Sequence, residues 1–386
     1  MTNASTKTLP MKREETPVKR LLKFLASISV AFLLGWWAFR DTNWQEQWQS
    51  LRSANYCWLI PYFAILLTIH VFRTLRWGNL LSGLERVRFR QLNEATGIGF
   101  MMLLLLPFWL GAFARPFLIA QRSSIRKSAA MTSVVLERIV DGISIAVLLR
   151  MLLFLVVDDT EAVRFARWGA NVMFAVFIGA LLFLLFVSWQ QQRAVALVRA
   201  ILGRLSLKLA LGLGRAVDTF VGSVRHIPRG WQLVSFLFFT AAIWGINGVG
   251  MYILGRAFDC SGATGACVPL NLTLVQTYVV LCVLMVGLMI PGAPGMVGTF
   301  QAGVKLGLSL FLPGAVLNGT GVAYANAMWL CATGQQVLLG VILLGLGSIS
   351  FREVAGDLRM EGEAATPPRV LDTRRTARIA GDLAQL

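Results

Sequence analysis

The 386-residue sequence predicts an all-α polytopic membrane protein with seven or eight transmembrane helices and two re-entrant or broken segments. Three observations carry this. Charged residues make up only 14% of the chain, against about 25% in a soluble domain. Apolar residues gather into runs near 21–39, 56–72, 95–119, 129–157, 168–189, 231–255, 271–291, 297–312 and 321–349; as a helix, about 20 such residues cover the ~30 Å hydrocarbon core of a bilayer. Lys and Arg fall mostly between the runs, as the positive-inside rule requires. The net charge of +17 is therefore spread over connectors and does not point to nucleic acid.

Residues 1–20 read as a basic cytoplasmic tail, with Lys7, Lys12, Arg13, Lys19 and Arg20 followed by Lys23. The first run ends in Gly35-Trp36-Trp37-Ala38-Phe39-Arg40. It has no small-residue cleavage site, so it reads as a retained anchor rather than a signal peptide. Connector 73–94 holds Arg73, Arg76, Arg86, Arg88 and Arg90, and connector 190–230 holds six Arg and Lys208. Both belong on the cytoplasmic side with the N-terminus, while 40–55, 158–167 and 256–270 carry few or balanced charges and belong outside. This is the orientation of a multi-pass protein of the cytoplasmic (inner) membrane. Basic and apolar residues interleave in 190–230, which suits amphipathic helices on the membrane surface. The membrane domain spans 21–350, and the mixed-charge tail 351–386, with Pro367-Pro368, reads as disordered.

Two segments do not fit simple crossings. Segment 95–119 is interrupted by Pro107 and flanked on both sides by basic residues, so it should dip in and return as a helix pair hinged near Pro107; the alternative is an ordinary span with a proline kink. In 291–312 the stretch Pro291-Gly292-Ala293-Pro294-Gly295 breaks the backbone before a short apolar run. Broken segments in corresponding positions of two halves are the sequence pointer to a transporter site and to an inverted repeat. Irregular backbone at that depth must be covered by protein or a watery cavity.

The run 129–157 contains Glu137, Arg138 and Asp141. On a helix Glu137 and Asp141 share a face, and Arg138 can reach Asp141. Each charged residue costs roughly 2.5–3.5 kcal/mol near the membrane centre, so the trio must face the bundle interior, with Arg115 as the nearest balance for the second carboxylate. An intramembrane cluster of this kind is a functional-site candidate; a buried ion-pair lock is the structural alternative. Pro291, Pro294, Gly295, Gly298 and Gln301 form a second candidate, a turn opening a short helix whose N-terminus suits a phosphate or carboxylate. Gly303 and Gly307 invite close helix packing. Arg73 and Arg76 lie three apart on one face, fit either to grip a lipid phosphate or to anchor the helix end.

Five cysteines show neither a CxxC pair nor a His partner at ligand spacing, so neither metal nor cofactor is expected. Cys260 and Cys267 share an outside loop where a disulfide is chemically open. Asp158-Asp159, adjacent acids on an outside connector, are a weak glycosyltransferase signal with no nucleotide-binding domain beside them.

Together, Arg73-x-x-Arg76-Trp77, Leu106-Pro107 leading to Gly111 and Arg115, Ser133 to Arg138 with Asp141, and Pro291 to Phe300 resemble the membrane domain of lysylphosphatidylglycerol synthetases. That flippase-like domain also occurs as a stand-alone protein. The resemblance covers roughly 20–350 and implies translocation of a phospholipid, aminoacyl-phospholipid or polyprenyl-linked lipid between leaflets, without enzymatic activity in this chain. Where the family has Arg and Glu in its first broken segment, this chain has Trp109 and Ala112, and it has Gln301 where the family often has Glu. Loss of those charges turns Arg115 toward Glu137 or Asp141 and argues against a cationic headgroup. The implied partners are membrane lipids with anionic headgroups and a separate synthase or glycosyltransferase; homo-oligomerisation stays open. The other reading is a non-transporting scaffold that docks such an enzyme through 190–230.

Overall fold

Helix is the regular structure throughout the described residues, with no strand among them, as expected where backbone hydrogen bonds must close within each segment. The computed structural model describes residue 29 and residues 32–106, 111–155, 161–189, 230–259, 268–289 and 294–347. The tails 1–20 and 351–386, Pro107, Trp109, Asp158-Asp159, nearly all of connector 190–230, the Cys260 and Cys267 pair, and Pro291 lie outside the described residues.

Residues 32–39 are helical. After them come α1 (Trp44–Ser53), α2 (Leu59–Leu81), α3 (Phe89–Leu105), α4 (Gly111–Arg122), α5 (Lys127–Leu155) and α6 (Glu161–Trp189). The second part holds α7 (Trp231–Arg256), α8 (Leu274–Gly287), α9 (Thr299–Leu308) and α10 (Val322–Leu346). Among the described residues, three stretches are both long and apolar enough to cross a membrane: Tyr56–Leu81, Trp231–Arg256 and Gly314–Leu346. At 29 residues, α5 is about 44 Å long and long enough, but it carries the charged trio.

Helix α1 is absent from the sequence reading, which left 40–55 as a connector. Its pattern is inverted: Trp44 and Trp48 are exposed while Gln47 and Ser50 are buried. The polar face has partners. Ser50 Oγ lies 3.0 Å from Thr320 Oγ1, and Asn43 N–H donates to Asn318 O at 3.1 Å, docking α1 on the π-helical turn Leu317–Gly321.

Two helix hairpins stand where the sequence placed its broken segments. Helices α3 and α4 run antiparallel, with Arg122 on Glu94 at 2.6 Å, Arg115 against Gly99, and Gly111 against Leu103. Helices α8 and α9 do the same through glycine: a Cβ on Gly303 would lie 3.2 Å from Leu284 Cα, and one on Gly307 would lie 2.8 Å from Val280 Cα. The 12 residues of α4 and 10 of α9 span about 18 and 15 Å, too short to cross ~30 Å alone.

One expectation needs correction. Residues 73–94 are not a single connector: α2 runs on to Leu81 and α3 begins at Phe89. The helix extends past its apolar run because Arg76 has carboxylate partners inside the bundle, and Trp77, Leu80 and Leu81 beyond it are buried.

Candidate functional site

Helices α2 and α5 are antiparallel, and their contact is polar. Trp77 Nε1 donates to Ser133 Oγ at 3.0 Å, and Ser133 Oγ donates to Ala130 O at 2.7 Å. This register brings Arg76 level with Glu137 and Asp141, which share a face one helical turn apart. Arg76 Nη1 donates to Asp141 Oδ1 at 2.5 Å and Nη2 to Asp141 Oδ2 at 3.1 Å, while Nη2 also donates to Glu137 Oε1. Arg115, delivered by α4, donates through Nη1 to Glu137 Oε2 at 3.0 Å. Its guanidinium carbon sits 4.2 Å from the centre of the Trp77 ring.

The result is a charge-balanced network of two arginines and two carboxylates. Arg76, Arg115 and Glu137 are 3%, 5% and 3% exposed. Taking an ion from water into such a site costs several kcal/mol, which is offset only by close pairing and further hydrogen bonds. Most groups have them, but Arg76 Nε and Arg115 Nε and Nη2 are buried without a hydrogen-bond partner among the described residues. For Arg115, the Trp77 face supplies part of the compensation.

Arg138 behaves differently from the sequence reading. It does not pair with Asp141, because Arg76 occupies both carboxylate oxygens and Trp244 Nε1 approaches Oδ1 at 3.3 Å. Arg138 is exposed and makes no hydrogen bond or ion pair among the described residues. Nor do Arg73 and Arg76 act together: Arg76 turns into the network, whereas Arg73 lies beside Phe100, 5.0 Å from its ring centre.

Arg73 and Arg138 meet at a cavity of about 450 Å³, within the size range of ligand sites. Asp141 forms part of its wall, as do Trp244 and His70. The hairpin ends contribute Phe100 and Leu106 from one and Met289, Met296 and Phe300 from the other. Arg76, Arg115 and Glu137 stand behind the wall.

The Pro294 turn is held from within. Gly295 and Gly298 have φ of 72° and 82°, the left-handed region that favours glycine. Gly298 N–H donates to Gln301 Oε1 at 2.9 Å, and Trp329 Nε1 donates to Gly295 O at 2.8 Å. Pro294, Gly295, Gly298 and Gln301 do not line the cavity; their described role is to shape the hairpin that presents Met296 and Phe300.

Sequence reasoning passed over Glu94 and gave His70 no chemistry. Glu94 is buried and paired with Arg122 at 2.6 Å and Arg90 at 2.9 Å; it is the single acid between Glu85 and Glu137, a signal that was there to use. His70 reaches Asn93, Nε2 to Oδ1 at 2.9 Å, and lines the cavity, which a lone His in an apolar run does not announce. Lys305 is buried and donates to Ala38 O at 2.8 Å, so it ties α9 to the 32–39 helix.

A helical membrane protein with two antiparallel hairpins, a neutral buried ion network and an arginine-bearing cavity is the class that fold and site define. The family model of the lysylphosphatidylglycerol synthase transmembrane region matches residues 24–354, and the chain belongs to that family. Comparison with curated proteins and with solved structures finds no match.

Proposed function

We propose that this protein moves an anionic lipid between membrane leaflets, taking the headgroup through the cavity bounded by the two hairpins, without catalysing a reaction. The observation that carries this is the unequal treatment of four neighbouring arginines. Arg76 and Arg115 are neutralised by Glu137 and Asp141, whereas Arg73 and Arg138 line the cavity and form no ion pair with a carboxylate among the described residues. A guanidinium without a counterion suits a phosphate, and a cationic aminoacyl headgroup would meet repulsion there.

Membership of the family supports a lipid-related role. The two hairpins support alternating access: with both ends of α3–α4 on the cytoplasmic side and both ends of α8–α9 outside, they are related as halves of an inverted repeat. On this reading the N-terminus is cytoplasmic and the protein belongs to the inner membrane.

The test is leaflet accessibility of fluorescent anionic, zwitterionic and lysyl-modified lipids in proteoliposomes, comparing wild type with Arg73→Gln/Arg138→Gln. Protein-dependent movement of the anionic lipid, lost in the double variant, is expected. Equal movement of all three lipids, or full activity in the folded double variant, overturns the proposal.

A further inference from the structure

The polar lining of the cavity does not stop at its arginines. Helix α2 runs antiparallel to α7: Asn79 Nδ2 donates to Ser235 Oγ at 2.8 Å toward one end, and Tyr62 meets Gly250 toward the other. On α2, His70 lies about 4.5 Å from Arg73 in the direction of Leu59. On α7, Asn247 lies the same distance from Trp244 in the same direction, and Trp244 reaches Asp141. His70 and Asn247 therefore occupy the level next to the arginines.

Helix α10 brings two amides to that side. A Cβ on Gly97 would lie 3.6 Å from His70 Cε1, and one on Gly340 would lie 3.0 Å from Gly97 O. Tyr324 donates its hydroxyl to Met251 O at 2.8 Å, so the Val322 end of α10 points the way of Leu59, and Gln335 and Gln336 lie about one turn from Gly340 in that direction. All four polar side chains line the cavity.

These groups are short of partners. His70 and Gln335 are 7% and 8% exposed. His70 uses one ring nitrogen on Asn93 and makes no other side-chain hydrogen bond among the described residues. The side chains of Asn247, Gln335 and Gln336 make none among the described residues, and Gln335 Nε2 is fully buried. Buried amides are seldom left this way. A phosphate oxygen only accepts hydrogen bonds and an ammonium only donates them, whereas a hydroxyl does both, as an amide does.

From this we propose that the cavity selects a lipid whose phosphodiester carries a polyhydroxylated ring, a sugar or a cyclitol. The phosphate lies at Arg73 and Arg138, and the ring hydroxyls meet His70, Asn247, Gln335 and Gln336. The inference rests on the anionic-headgroup reading above and adds what the phosphate bears. Four polar side chains on three helices are more than a small diol can satisfy. Each neutral hydrogen bond tightens binding about two- to tenfold, so three of them give at least about tenfold over an ester without hydroxyls.

The probes are short-chain phosphatidylethanol, phosphatidylglycerol and phosphatidylinositol with identical acyl chains, titrated calorimetrically into the purified full chain in nanodiscs. They share one charge and one pair of chains and differ in hydroxyls. The inositol ester should bind at least about tenfold tighter than the ethanol ester, with the glycerol ester between them. Asn247→Leu/Gln336→Leu should bring the inositol ester down to the ethanol ester. Arg73→Gln/Arg138→Gln should weaken all three and keep their order.

Equal binding of the three esters to the wild-type protein, weakened together by the arginine variant, would overturn this inference and leave the headgroup reading intact. An arginine variant that binds all three as tightly as the wild type would overturn the headgroup reading instead. Glycerophosphoinositol, which has no acyl chains, binding as tightly as the lipid would mean that the ring phosphate is recognised as a soluble molecule, and would overturn the assignment to a lipid.

Discussion

Replacing Glu137 by Gln keeps the shape of the side chain and removes one of the two negative charges in the buried network. Arg115 then loses its one carboxylate partner among the described residues, while Arg76 keeps Asp141, and the four groups change from neutral to a net +1. Breaking a buried pair by removing one partner costs about 3–5 kcal/mol. Unfolding entropy of about 2.1 cal/mol/K per residue, summed over 386 residues, makes each kcal/mol worth about 1.2 °C, so the midpoint should fall by about 4–6 °C. Asp141→Asn should cost less, about 1–3 kcal/mol, since the Asp141 side chain is 16% exposed and Arg76 retains Glu137. Arg115→Met combined with Glu137→Gln restores neutrality and should recover part of the loss, with a coupling of about 1–3 kcal/mol. Thermal unfolding of the purified variants in one detergent reads all four values. Asp141→Asn falling as far as Glu137→Gln, or a double variant at the sum of the singles, would refute the charge-balance reasoning.

Two further outcomes check the fold. Gly307→Ala puts a Cβ 2.8 Å from Val280 Cα and should destabilise by about 1–3 kcal/mol. Gly334→Ala, with nothing within 4 Å, should stabilise α10 by about 0.5–1 kcal/mol, the contrast being read in the same thermal assay. Cys57 is exposed and Cys282 and Cys331 are buried: an impermeant maleimide applied from outside intact cells should modify Cys57 and spare the other two until the protein is denatured, as mapped by mass spectrometry.

The interior position of Glu137 and Asp141 was legible because charge inside an apolar run has one energetic remedy, and the helix period put both acids on one face. Of their partners, Arg115 was read from the sequence and pairs with Glu137, but Arg76 was not. Arg76 stands just past the apolar run 56–72, where arginine is the default anchor, and local spacing favoured Arg138. What decided the matter is a tertiary register, the Trp77–Ser133 contact, which sequence spacing within α5 does not contain. The hairpins were legible from proline, glycine and flanking charge. The docked face of α1 was not, since its buried side is polar and its exposed side carries tryptophan, the reverse of the pattern that identifies a helix in a soluble protein.

The choice between a lock and a site for the buried charges resolves into a division by position. A network that is neutral and closed leaves no charge over for a ligand, so Glu137, Asp141, Arg76 and Arg115 fix how α2, α4 and α5 pack. That closure also leaves Arg73 and Arg138 without internal carboxylates: had Asp141 taken Arg138, as the i,i+3 spacing allowed, the cavity wall would carry a neutral pair and Arg76 would be buried with half its compensation. Occupying Asp141 with Arg76 therefore stabilises the helix contact and keeps Arg138 available at the cavity. On this reasoning Asp141→Asn, although the milder change for stability, should alter anion binding through Arg76: with one carboxylate gone, the excess positive charge lies against the cavity wall, and affinity for an alkyl phosphate should rise. An unchanged or weaker affinity in the folded variant would mean that the network and the cavity are electrostatically separate.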